Sequence, residues 1–408
     1  MMEYYAISYY GEQFKLGYIE MDFLDCETVN RYVGESRNGF WEKVHIISAE
    51  VPYSTYKRNI GIKDKTLRSG GALFKVTLKE TTRPHSGFAC DIYSRDGFEL
   101  RQSRVMFFRV ERCSKEEEER IIKDLMKKFD LSDYPEYDGP DGDVATRLKS
   151  KLKKGPSPKS IIFRTYDVGQ GLATSLTGEE VAPFMYFDYG TDKIANEVPP
   201  GLNMRVDAKK TVIFLSHVHE DHWCGYRINP EALKCTWIVP DQSGHSIYHK
   251  FIILITLRGG SVYRHGADID LGSIYIGHAA STIKPARVAA HEHESGFAMY
   301  INARVYDEFE DLFDYKITVA GDQDYDYQDA TKYADTDLLV ACHHGGEYCW
   351  STKYTGIKPH DDNSVIVYSY GINNTFGHPS KTADYSGWGW KKRHDTATDG
   401  MYQKWIFI

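Results

Sequence analysis

One short segment of the chain concentrates residues that bind metal ions. His217, His219, Asp221 and His222 have the spacing H-x-H-x-D-H. Imidazole nitrogens and carboxylate oxygens are the usual ligands of hydrolytic transition-metal sites. Such a set is large enough for two neighbouring ions, with His217 and His219 on one and Asp221 and His222 on the other. The segment therefore predicts a metal-dependent hydrolase rather than a His-rich surface loop.

The residues before this segment explain how it is positioned. Residues 212–215 (VIFL) form an apolar run typical of a buried strand. The turn after a strand lets side chains that would alternate between two faces converge on one point. The chain has 16 His, and only His45 and His85 precede residue 160, so imidazole is concentrated in the part with the motif. Several others are expected to be incidental surface or loop residues, namely His245, His249, His265, His278, His360 and His394.

The composition is that of a soluble globular protein. Of 408 residues, 41% are apolar and 26% are charged, and this length fits two domains. A net charge of −8 argues against a broad nucleic-acid-binding surface but leaves room for a local basic groove. The 7 cysteines include no C-x-x-C pair, and we find neither a secretory signal nor an apolar run long enough to span a bilayer. We therefore expect a cytoplasmic protein with reduced thiols and no membrane partner.

The pattern of the chain predicts three ranges. Residues 1–130 are expected to be a strand-rich N-terminal domain with one helix over 114–129, begun by a capping box. Residues 131–159 are expected to be a linker, because they are acidic with Pro and Gly and then rich in Lys. In residues 160–408, strands alternate with helix-like segments, the clearest being 246–257, which predicts an α/β layered domain. The runs that predict strands are residues 4–10, 15–23, 44–51, 72–78, 103–110, 161–166, 185–188, 212–215, 237–240, 297–301, 317–320, 338–341 and 364–369.

Six ordered motifs in residues 160–408 resemble those of the metallo-β-lactamase fold. They are most similar to the branch found as the soluble C-terminal domain of ComEC-type DNA-uptake proteins. The motifs are YDVGQG (166–171), FDYG (187–190), SHVHEDH (216–222), VAGD (319–322), CHHGG (342–346) and GHPS (377–380). The resemblance implies an α/β fold, a metallo-β-lactamase αββα sandwich, with the separate strand-rich N-terminal domain lying outside it.

The resemblance also implies roles for residues at strand ends. The segment from Asp167 to Gly171 would end a strand with glycines that let the backbone pass close to the metals. Asp188 resembles the carboxylate that orients a metal-bound imidazole by accepting its distal N–H. Asp322 resembles the carboxylate that bridges both ions.

The third imidazole of the first ion has two candidates. His291 and His293 lie where related phosphodiesterases such as the RNase Z group place a His, whereas ComEC-type domains often have Asn there. We prefer His291 for its distance to Ser295.

The last ligand of the second ion is expected to be His378. Asp221, His343 and His344 are the expected catalytic residues. His343 and His344 would contact the transition state or a phosphate, and ligation by them is the alternative. Gly346 stands where the family usually has Ser, so this chain departs from the family pattern at that contact.

These assignments imply a binuclear hydrolase in which two divalent ions, Zn²⁺ or Mn²⁺, hold a bridging hydroxide that attacks phosphorus. Ligands of N and O alone do not choose between the two metals. We expect a phosphodiesterase or nuclease with DNA or RNA as its substrate. Two alternatives remain: a hydrolase of a small-molecule ester, lactone or thioester, and a metal-containing binding module. The N-terminal domain could feed substrate to the site, dock a protein partner or mediate self-association.

Overall fold

The chain divides into two compact units in a computed structural model. The first comprises Met1–Leu131, Ser243–Leu254 and Ile283–His291, and the second comprises Ser132–Gln242, Ile255–Thr282 and Glu292–Ile408. The structure describes residues 2–9, 18–35, 39–60, 73–83, 86–93, 100–131, 134–139, 142–152, 159–191, 198–242, 246–279, 295–306, 311–348, 356–374 and 377–408.

The strands of the first unit form a closed antiparallel barrel in the order β1-β2-β3-β5-β6-β4. Alternate residues of β3 and β4 are buried, because successive side chains of a strand point to opposite faces. Closure leaves no strand of this barrel with an unpaired edge. The strands are β1 (Met2–Tyr9), β2 (Tyr18–Asp25), β3 (Ile46–Pro52), β4 (Phe74–Glu80), β5 (Phe88–Tyr93) and β6 (Leu100–Arg112).

Short helices and one long helix accompany the barrel strands. They are α1 (Cys26–Arg31), α2 (Phe40–Lys43), α3 (Tyr53–Asn59) and α4 (Lys115–Phe129). The Ser114 half of the predicted capping box is confirmed, because its side chain accepts a hydrogen bond from the Glu117 backbone N–H at 3.2 Å. The Glu117 carboxylate accepts from the Tyr5 hydroxyl at 2.9 Å. Asp25 caps α1 in the same way through Thr28 N at 2.8 Å.

The second unit is a mixed α/β structure built on one large sheet. Its strands are β7 (Ser160–Thr165), β8 (Ala173–Thr177), β9 (Met185–Tyr189), β10 (Val212–Phe214), β11 (Thr236–Pro240), β12 (Ser261–His265), β13 (Ile269–Asp270), β14 (Ile274–His278), β15 (Phe297–Tyr306), β16 (Leu312–Val319), β17 (Leu338–Val340), β18 (Val365–Tyr368), β19 (Lys392–Asp395) and β20 (Tyr402–Phe407). Its helices are α5 (Asp143–Leu152), α7 (Ala330–Tyr333), α8 (Thr382–Gly387) and α9 (Thr396–Asp399), and helix α6 (Ser246–Leu257) belongs to the first unit up to Leu254.

The order of strands in this sheet is β12-β11-β10-β9-β8-β7-β20-β15-β16-β17-β18-β19, with β14 also paired to β15. The two halves of the sheet share a hydrophobic core, in which Phe187 and Phe214 from one half pack with Met299 and Val319 from the other. On its opposite face, the second half packs against aromatic residues that include Tyr333 of α7 and Tyr385 of α8. Burial on both faces explains why the central strands are nearly continuous apolar runs.

Each half of the sheet contains a run of parallel strands, β9 to β12 in one and β16 to β19 in the other. The six motifs singled out in the sequence lie in the segments next to these strands and in the turn between β7 and β8. Because the carboxyl ends of parallel strands form the usual ligand-binding edge of an α/β sheet, both halves can contribute side chains to one site.

Helix α5 lies inside the range that was expected to be a linker. It begins at Asp143 and ends at Leu152, and its buried side chains Val144, Ala145 and Leu148 belong to the core of the second unit. The apolar residues recur on one face of a helix. The lysines between them dominated the composition and hid that periodicity, so the expectation that all of 131–159 is a linker is corrected for this helix.

Neither a membrane-spanning helix nor a disulfide is found among the described residues. In the ranges given above, no helix is both long and apolar enough to cross a membrane. Six cysteines lie in the part of the chain that the structure describes, and each is a buried free thiol rather than half of a disulfide.

The packing of α5 predicts the effect of two substitutions. Leu148→Ala should lower the free energy of unfolding of the second unit by about 2–4 kcal/mol, because it leaves a cavity in the core. Ser150→Ala, on the exposed side of the same helix, should change it by less than about 0.5 kcal/mol. Urea unfolding followed by tryptophan fluorescence measures both, and equal stability of the two variants would mean that α5 is not packed.

Candidate metal centre

Two groups of buried or half-buried donors converge at the carboxyl ends of the parallel strands. One group is His217, His219 and Asp322, and the ligand-type atoms of its members all lie within 4.8 Å of one another. His217 and His219 come from the segment after β10, and Asp322 comes from the turn after β16. This first donor group therefore joins the two halves of the sheet.

The second donor group is Asp221, His222 and His344, within the same distance limit. His344 Nε2 lies 3.4 Å from Asp221 Oδ2. Asp221 and His222 again follow β10, whereas His344 follows β17. Each donor group offers N and O ligands to a divalent cation, which is the chemistry of hydrolytic metal sites.

The Asp322 carboxylate faces both donor groups. Its Oδ2 lies 3.6 Å from His217 Nε2, and its Oδ1 lies 3.2 Å from His222 Nε2 and 3.8 Å from His344 Nε2. The Asp322 side chain is only 3% exposed. A buried carboxylate with one oxygen toward each set of imidazoles has the geometry of a group that contacts two cations.

Most of the imidazoles are held by their outer ring nitrogen. His222 Nδ1 lies 2.8 Å from Asp188 Oδ2, His344 Nδ1 lies 2.6 Å from the Ser369 carbonyl oxygen, and His343 Nδ1 lies 3.1 Å from the Glu347 carbonyl oxygen. A carbonyl oxygen can only accept, so Nδ1 of His343 and His344 carries the proton. In a neutral ring, Nε2 is then the atom with a lone pair, and this tautomer is suited to a metal ligand.

Asp188 supports this arrangement from behind. It is fully buried in β9, and besides His222 it accepts a hydrogen bond from Ser216 N at 2.6 Å. Ser216 Oγ in turn lies 3.0 Å from His217 Nδ1. Asp188 has a φ of 59°, a left-handed conformation that is rare for a residue other than Gly and is typical of functional sites.

The turn after β17 has an unusual backbone. His343 and His344 have φ of 51° and 55°, and Gly345 continues the turn with a φ of 83°. A left-handed residue other than Gly costs about 1–3 kcal/mol, which the surrounding structure must offset. The His344 hydrogen bond to Ser369 and the bond from His343 N to the Gly321 carbonyl, at 3.0 Å, hold this turn in place.

Two glycines allow the chain to pass close to Asp221. A Cβ atom added to Gly190 would lie 1.7 Å from the Asp221 carbonyl oxygen, and one added to Gly171 would lie 2.7 Å from it. Gly171 was expected to permit a close backbone approach, and the structure places it beside the metal-binding segment. Gly190 was quoted only as part of a motif, and its role depends on a contact between distant parts of the chain.

The electrostatics of the centre favour positive charge. Burial disfavours the ionised form of Asp322, but the neighbouring imidazoles of His222, His343 and His344 hold its pKa well below the usual value. Burial also acts against the charged form of His222, but Asp322 and Asp188 raise its pKa well above the usual value. The carboxylates thus stabilise positive charge at this position, and a divalent metal ion would supply that charge.

Buried donor atoms provide a further test of whether a metal fits. The Nε2 atoms of His222 and His344 are buried and form no hydrogen bond with any residue that the structure describes, although carboxylate oxygens lie within 3.4 Å of each. Buried polar atoms normally have hydrogen-bond partners. A cation bound between these nitrogens and the carboxylates would satisfy them, so the residues fit a metal ion.

The outcome differs among the predicted metal ligands. His217, His219, Asp221, His222 and Asp322 come together in the two donor groups. His291 lies outside the described residues, as does its alternative His293, so the third imidazole of the first ion stays a prediction.

His378, which was predicted to be the last ligand of the second ion, lies outside both donor groups. The second donor group contains His344 and not His378, which is half-buried with its ring centroid 5.0 Å from that of His343 and 5.9 Å from that of His344. A Cβ at Gly346 would lie 2.2 Å from His378 Cε1. The His378 ring therefore occupies the space that a Ser side chain at position 346 would need.

Two histidines that were expected to be surface residues are buried. His249 is fully buried and stacks on Trp41, with ring centroids 5.3 Å apart, and His265 packs against Tyr137 and Phe297. Ser369 was not predicted to support the site. In the sequence, Ser369 stands out only as the end of a predicted strand. Its neighbours along the chain do not indicate that its carbonyl oxygen contacts the imidazole of His344, 25 residues away.

Solved structures similar to this chain include several metal-dependent enzymes. One is a diphosphatase from the PhnP family, with 11% identity and a TM-score of 0.32, over 61% of this chain and 100% of that one. Zn²⁺-bound PqqB from Methylobacterium extorquens has 10% identity and a TM-score of 0.34, over 64% and 92%. A long-form RNase Z from yeast has 12% identity and a TM-score of 0.32, over 82% of this chain and 50% of that one.

Metallo-β-lactamases such as MEM-A1, and the diiron β-hydroxylase CmlA from Streptomyces venezuelae, are further neighbours, with TM-scores of 0.26 and 0.30. No family model and no curated protein matches the chain. Scores this low assign no activity, and the resemblance to ComEC-type domains rests on the sequence motifs alone.

The support that Asp188 gives to His222 predicts the effect of removing its charge. Asp188→Asn should weaken divalent-cation binding about 10–100-fold, because the carboxylate no longer fixes the tautomer and orientation of His222. Competition with a chromogenic chelator measures the affinity.

Asp337→Asn is the matched control for this experiment. Asp337 also accepts hydrogen bonds from an imidazole Nδ1, that of His360, and from a backbone N–H, that of Lys316. It belongs to neither donor group. Metal affinity should be unchanged in Asp337→Asn, and an equal loss in both variants would show that Asp188 has no specific role at the centre.

Proposed function

We propose that the chain is a metal-dependent hydrolase of the metallo-β-lactamase type that binds two divalent cations and cleaves phosphodiesters in DNA or RNA. The observation that carries the proposal is the Asp322 carboxylate, which has one oxygen toward His217 and the other toward His222 and His344. In this scheme the first cation is held by His217, His219 and Asp322. The second is held by Asp221, His222, His344 and Asp322.

When bound, two such cations would supply a hydroxide nucleophile at neutral pH and would neutralise charge on the phosphate oxygens. The residues of the chain hold and orient the groups involved. Asp188 and the Ser369 carbonyl fix the outer nitrogens of His222 and His344 and thereby direct the inner nitrogens to the centre. Because these supports are buried, little reorganisation is needed during the reaction.

Phosphodiester hydrolysis is favoured over the carbonyl alternatives by additional imidazoles at the centre. His343 Nε2 lies 3.8 Å from Asp322 Oδ2, and the His378 ring lies near those of His343 and His344, tilted against both, without belonging to either donor group. In its protonated form, an imidazole at this position can donate a hydrogen bond to a non-bridging oxygen of a phosphate or a proton to its leaving oxygen. In this proposal, His378 contacts substrate in place of its expected role as a metal ligand.

The second donor group predicts different metal contents for two histidine variants. His344→Ala should lose about one metal per chain, because the second cation keeps only ligands from the β10 segment and Asp322. His378→Ala should retain the metal content of the wild type and lose turnover about 10²-fold or more. Elemental analysis after dialysis measures the metals. If His378→Ala instead loses one metal and His344→Ala keeps the wild-type metal content, His378 is the ligand and His344 is not.

The activity itself is tested with protein stripped of metal and resupplied with Zn²⁺ or Mn²⁺. Bis(4-nitrophenyl) phosphate and labelled single- and double-stranded DNA and RNA should be cleaved only after metal is restored. Asp221→Ala should reduce the rate about 10²–10⁴-fold, because it removes a ligand and a charge at the centre.

His394→Ala is the control for a histidine outside the centre, where the ring contacts the Gly400 carbonyl at 2.9 Å. Its rate should equal that of the wild type. Turnover of a lactone or thioester with no phosphodiesterase activity would refute the proposed substrate class. Wild-type activity in Asp221→Ala would refute the two-cation scheme.

A further inference from the structure

A buried tyrosine hydroxyl contacts the turn that carries His343 and His344. Tyr325 belongs to the segment that follows β16 and Asp322, and its side chain is fully buried. Its hydroxyl oxygen accepts a hydrogen bond from the Cys342 backbone N–H at 3.0 Å. Cys342 directly precedes His343 in the chain, and none of the roles proposed above uses Tyr325.

The hydrogen bond to Tyr325 holds the start of a strained turn. His343 and His344 have left-handed backbones, which persist only where neighbouring groups determine them strongly. The His343 N–H donates to the Gly321 carbonyl oxygen at 3.0 Å, and the Cys342 N–H just before it donates to the Tyr325 hydroxyl. Cys342 is fully buried, so water cannot replace the hydroxyl as the acceptor. The direction in which the chain enters the turn therefore depends on this oxygen atom.

Tyr325 also connects three segments that carry site residues. Its hydroxyl lies 3.1 Å from the hydroxyl of Tyr385 on α8, the helix that follows the motif with His378. Its backbone N–H donates to the Tyr348 carbonyl oxygen at 2.9 Å, and the Tyr348 hydroxyl donates to Asp384 Oδ2 on α8 at 2.8 Å. The segments that follow β16, β17 and β18 thus meet around one buried tyrosine.

The hydroxyl of Tyr325 supports the second donor group rather than the first. The turn that it holds carries His344, which belongs to the second donor group. The first donor group takes both of its imidazoles from the segment after β10. Its carboxylate, Asp322, is followed by Gln323, whose side chain accepts from Gly296 N at 2.7 Å and so fixes that position independently of the hydroxyl. Loss of the hydroxyl should therefore loosen one group of ligands and not the other.

We propose that Tyr325 is a positioning residue for the second cation, because its hydroxyl holds the Cys342 N–H and thereby directs His344 Nε2 toward Asp221. This assignment rests on the two-cation scheme of the proposed function. Tyr325 acts through the turn and not as a ligand. Partners that orient metal-binding imidazoles from behind typically change the metal affinity about 10–100-fold when they are removed.

Tyr325→Phe tests this role, because it removes one oxygen atom and keeps the buried ring. In calorimetric titrations of metal-free protein with Zn²⁺, the first cation should bind as it does to the wild type and the second about tenfold more weakly. Titration with Co²⁺ adds a readout that a general loss of stability would not move. The visible absorption of Co²⁺ depends on the geometry of its ligands, so only the second equivalent should give an altered spectrum.

Tyr186→Phe is the matched control. Tyr186 is a fully buried residue of β9, and its hydroxyl donates to the Arg205 carbonyl oxygen at 2.9 Å. This variant should bind both cations as the wild type does. Tyr385→Phe is a second variant, which removes the neighbour of the Tyr325 hydroxyl but keeps the bond to Cys342. It should weaken the second cation less than Tyr325→Phe does.

Three results would overturn the role of Tyr325. One is wild-type affinity for the second cation in Tyr325→Phe. Another is an equal loss of affinity at both cations, or in Tyr325→Phe and Tyr186→Phe alike. The third is the loss of cooperative thermal unfolding in Tyr325→Phe, followed by circular dichroism, because the hydroxyl would then be required for folding itself.

Turnover of bis(4-nitrophenyl) phosphate separates this proposal from the proposed reaction. A second cation that is weakened in Tyr325→Phe, in protein that cleaves no phosphodiester, would support the positioning role and overturn the reaction. Phosphodiester cleavage together with unchanged cation binding in Tyr325→Phe would overturn the positioning role and leave the hydrolase. A wild type that binds a single cation would overturn the two-cation scheme and the role of Tyr325 with it.

Discussion

The burial of one carboxylate among imidazoles is the constraint on which the rest of the second unit depends. Asp322 is almost inaccessible to solvent, and its two oxygens face His217 on one side and His222 and His344 on the other. Removing a charge from water costs several kcal/mol unless a partner compensates it. The imidazoles of His222 and His344 are already committed through their outer nitrogens, so their inner nitrogens and the carboxylate together form a place for a cation. Much of the surrounding architecture holds these few atoms in position.

That architecture explains why the site joins both halves of the sheet. The β10 segment and Asp188 come from one half, whereas Asp322 and His344 come from the other. A cation bound by both groups would therefore stabilise the packing of the halves as well as supply chemistry, because binding to the folded state alone adds to stability. The shared hydrophobic core also holds the two halves of the sheet together without a metal, so the fold does not depend on the ion alone.

Backbone strain is concentrated at the same place. Asp188, His343 and His344 all have left-handed conformations, and Gly190 and Gly171 press against the Asp221 backbone. Such conformations persist where neighbouring groups determine them strongly, and they are frequent at functional sites. Here the neighbours are the Ser216 N–H, the Ser369 carbonyl and the Gly321 carbonyl, each from a different part of the chain. In these left-handed conformations the side chains point toward the centre. In a regular strand or helix they would point elsewhere.

Some elements of this protein could be predicted from the sequence alone, because they depend on residues close together in the chain. The Ser114 cap before α4 and the apolar run of α6, ended by Gly259 and Gly260, predicted both helices, and the structure confirms them. Both signals act over a few residues and are therefore visible in the sequence. The donors 217–222 were predicted as a group because their spacing after a strand is itself local. Strands β19 and β20 and helix α5 are among the elements that escaped prediction. The two strands are mostly exposed and are formed by pairing, β19 with β18 and β20 with the distant β7, whereas α5 packs on a core built by distant parts of the chain. Only the tertiary structure brought His344 into the second donor group, because a left-handed turn fixed by the distant Ser369 carbonyl decides where its ring points.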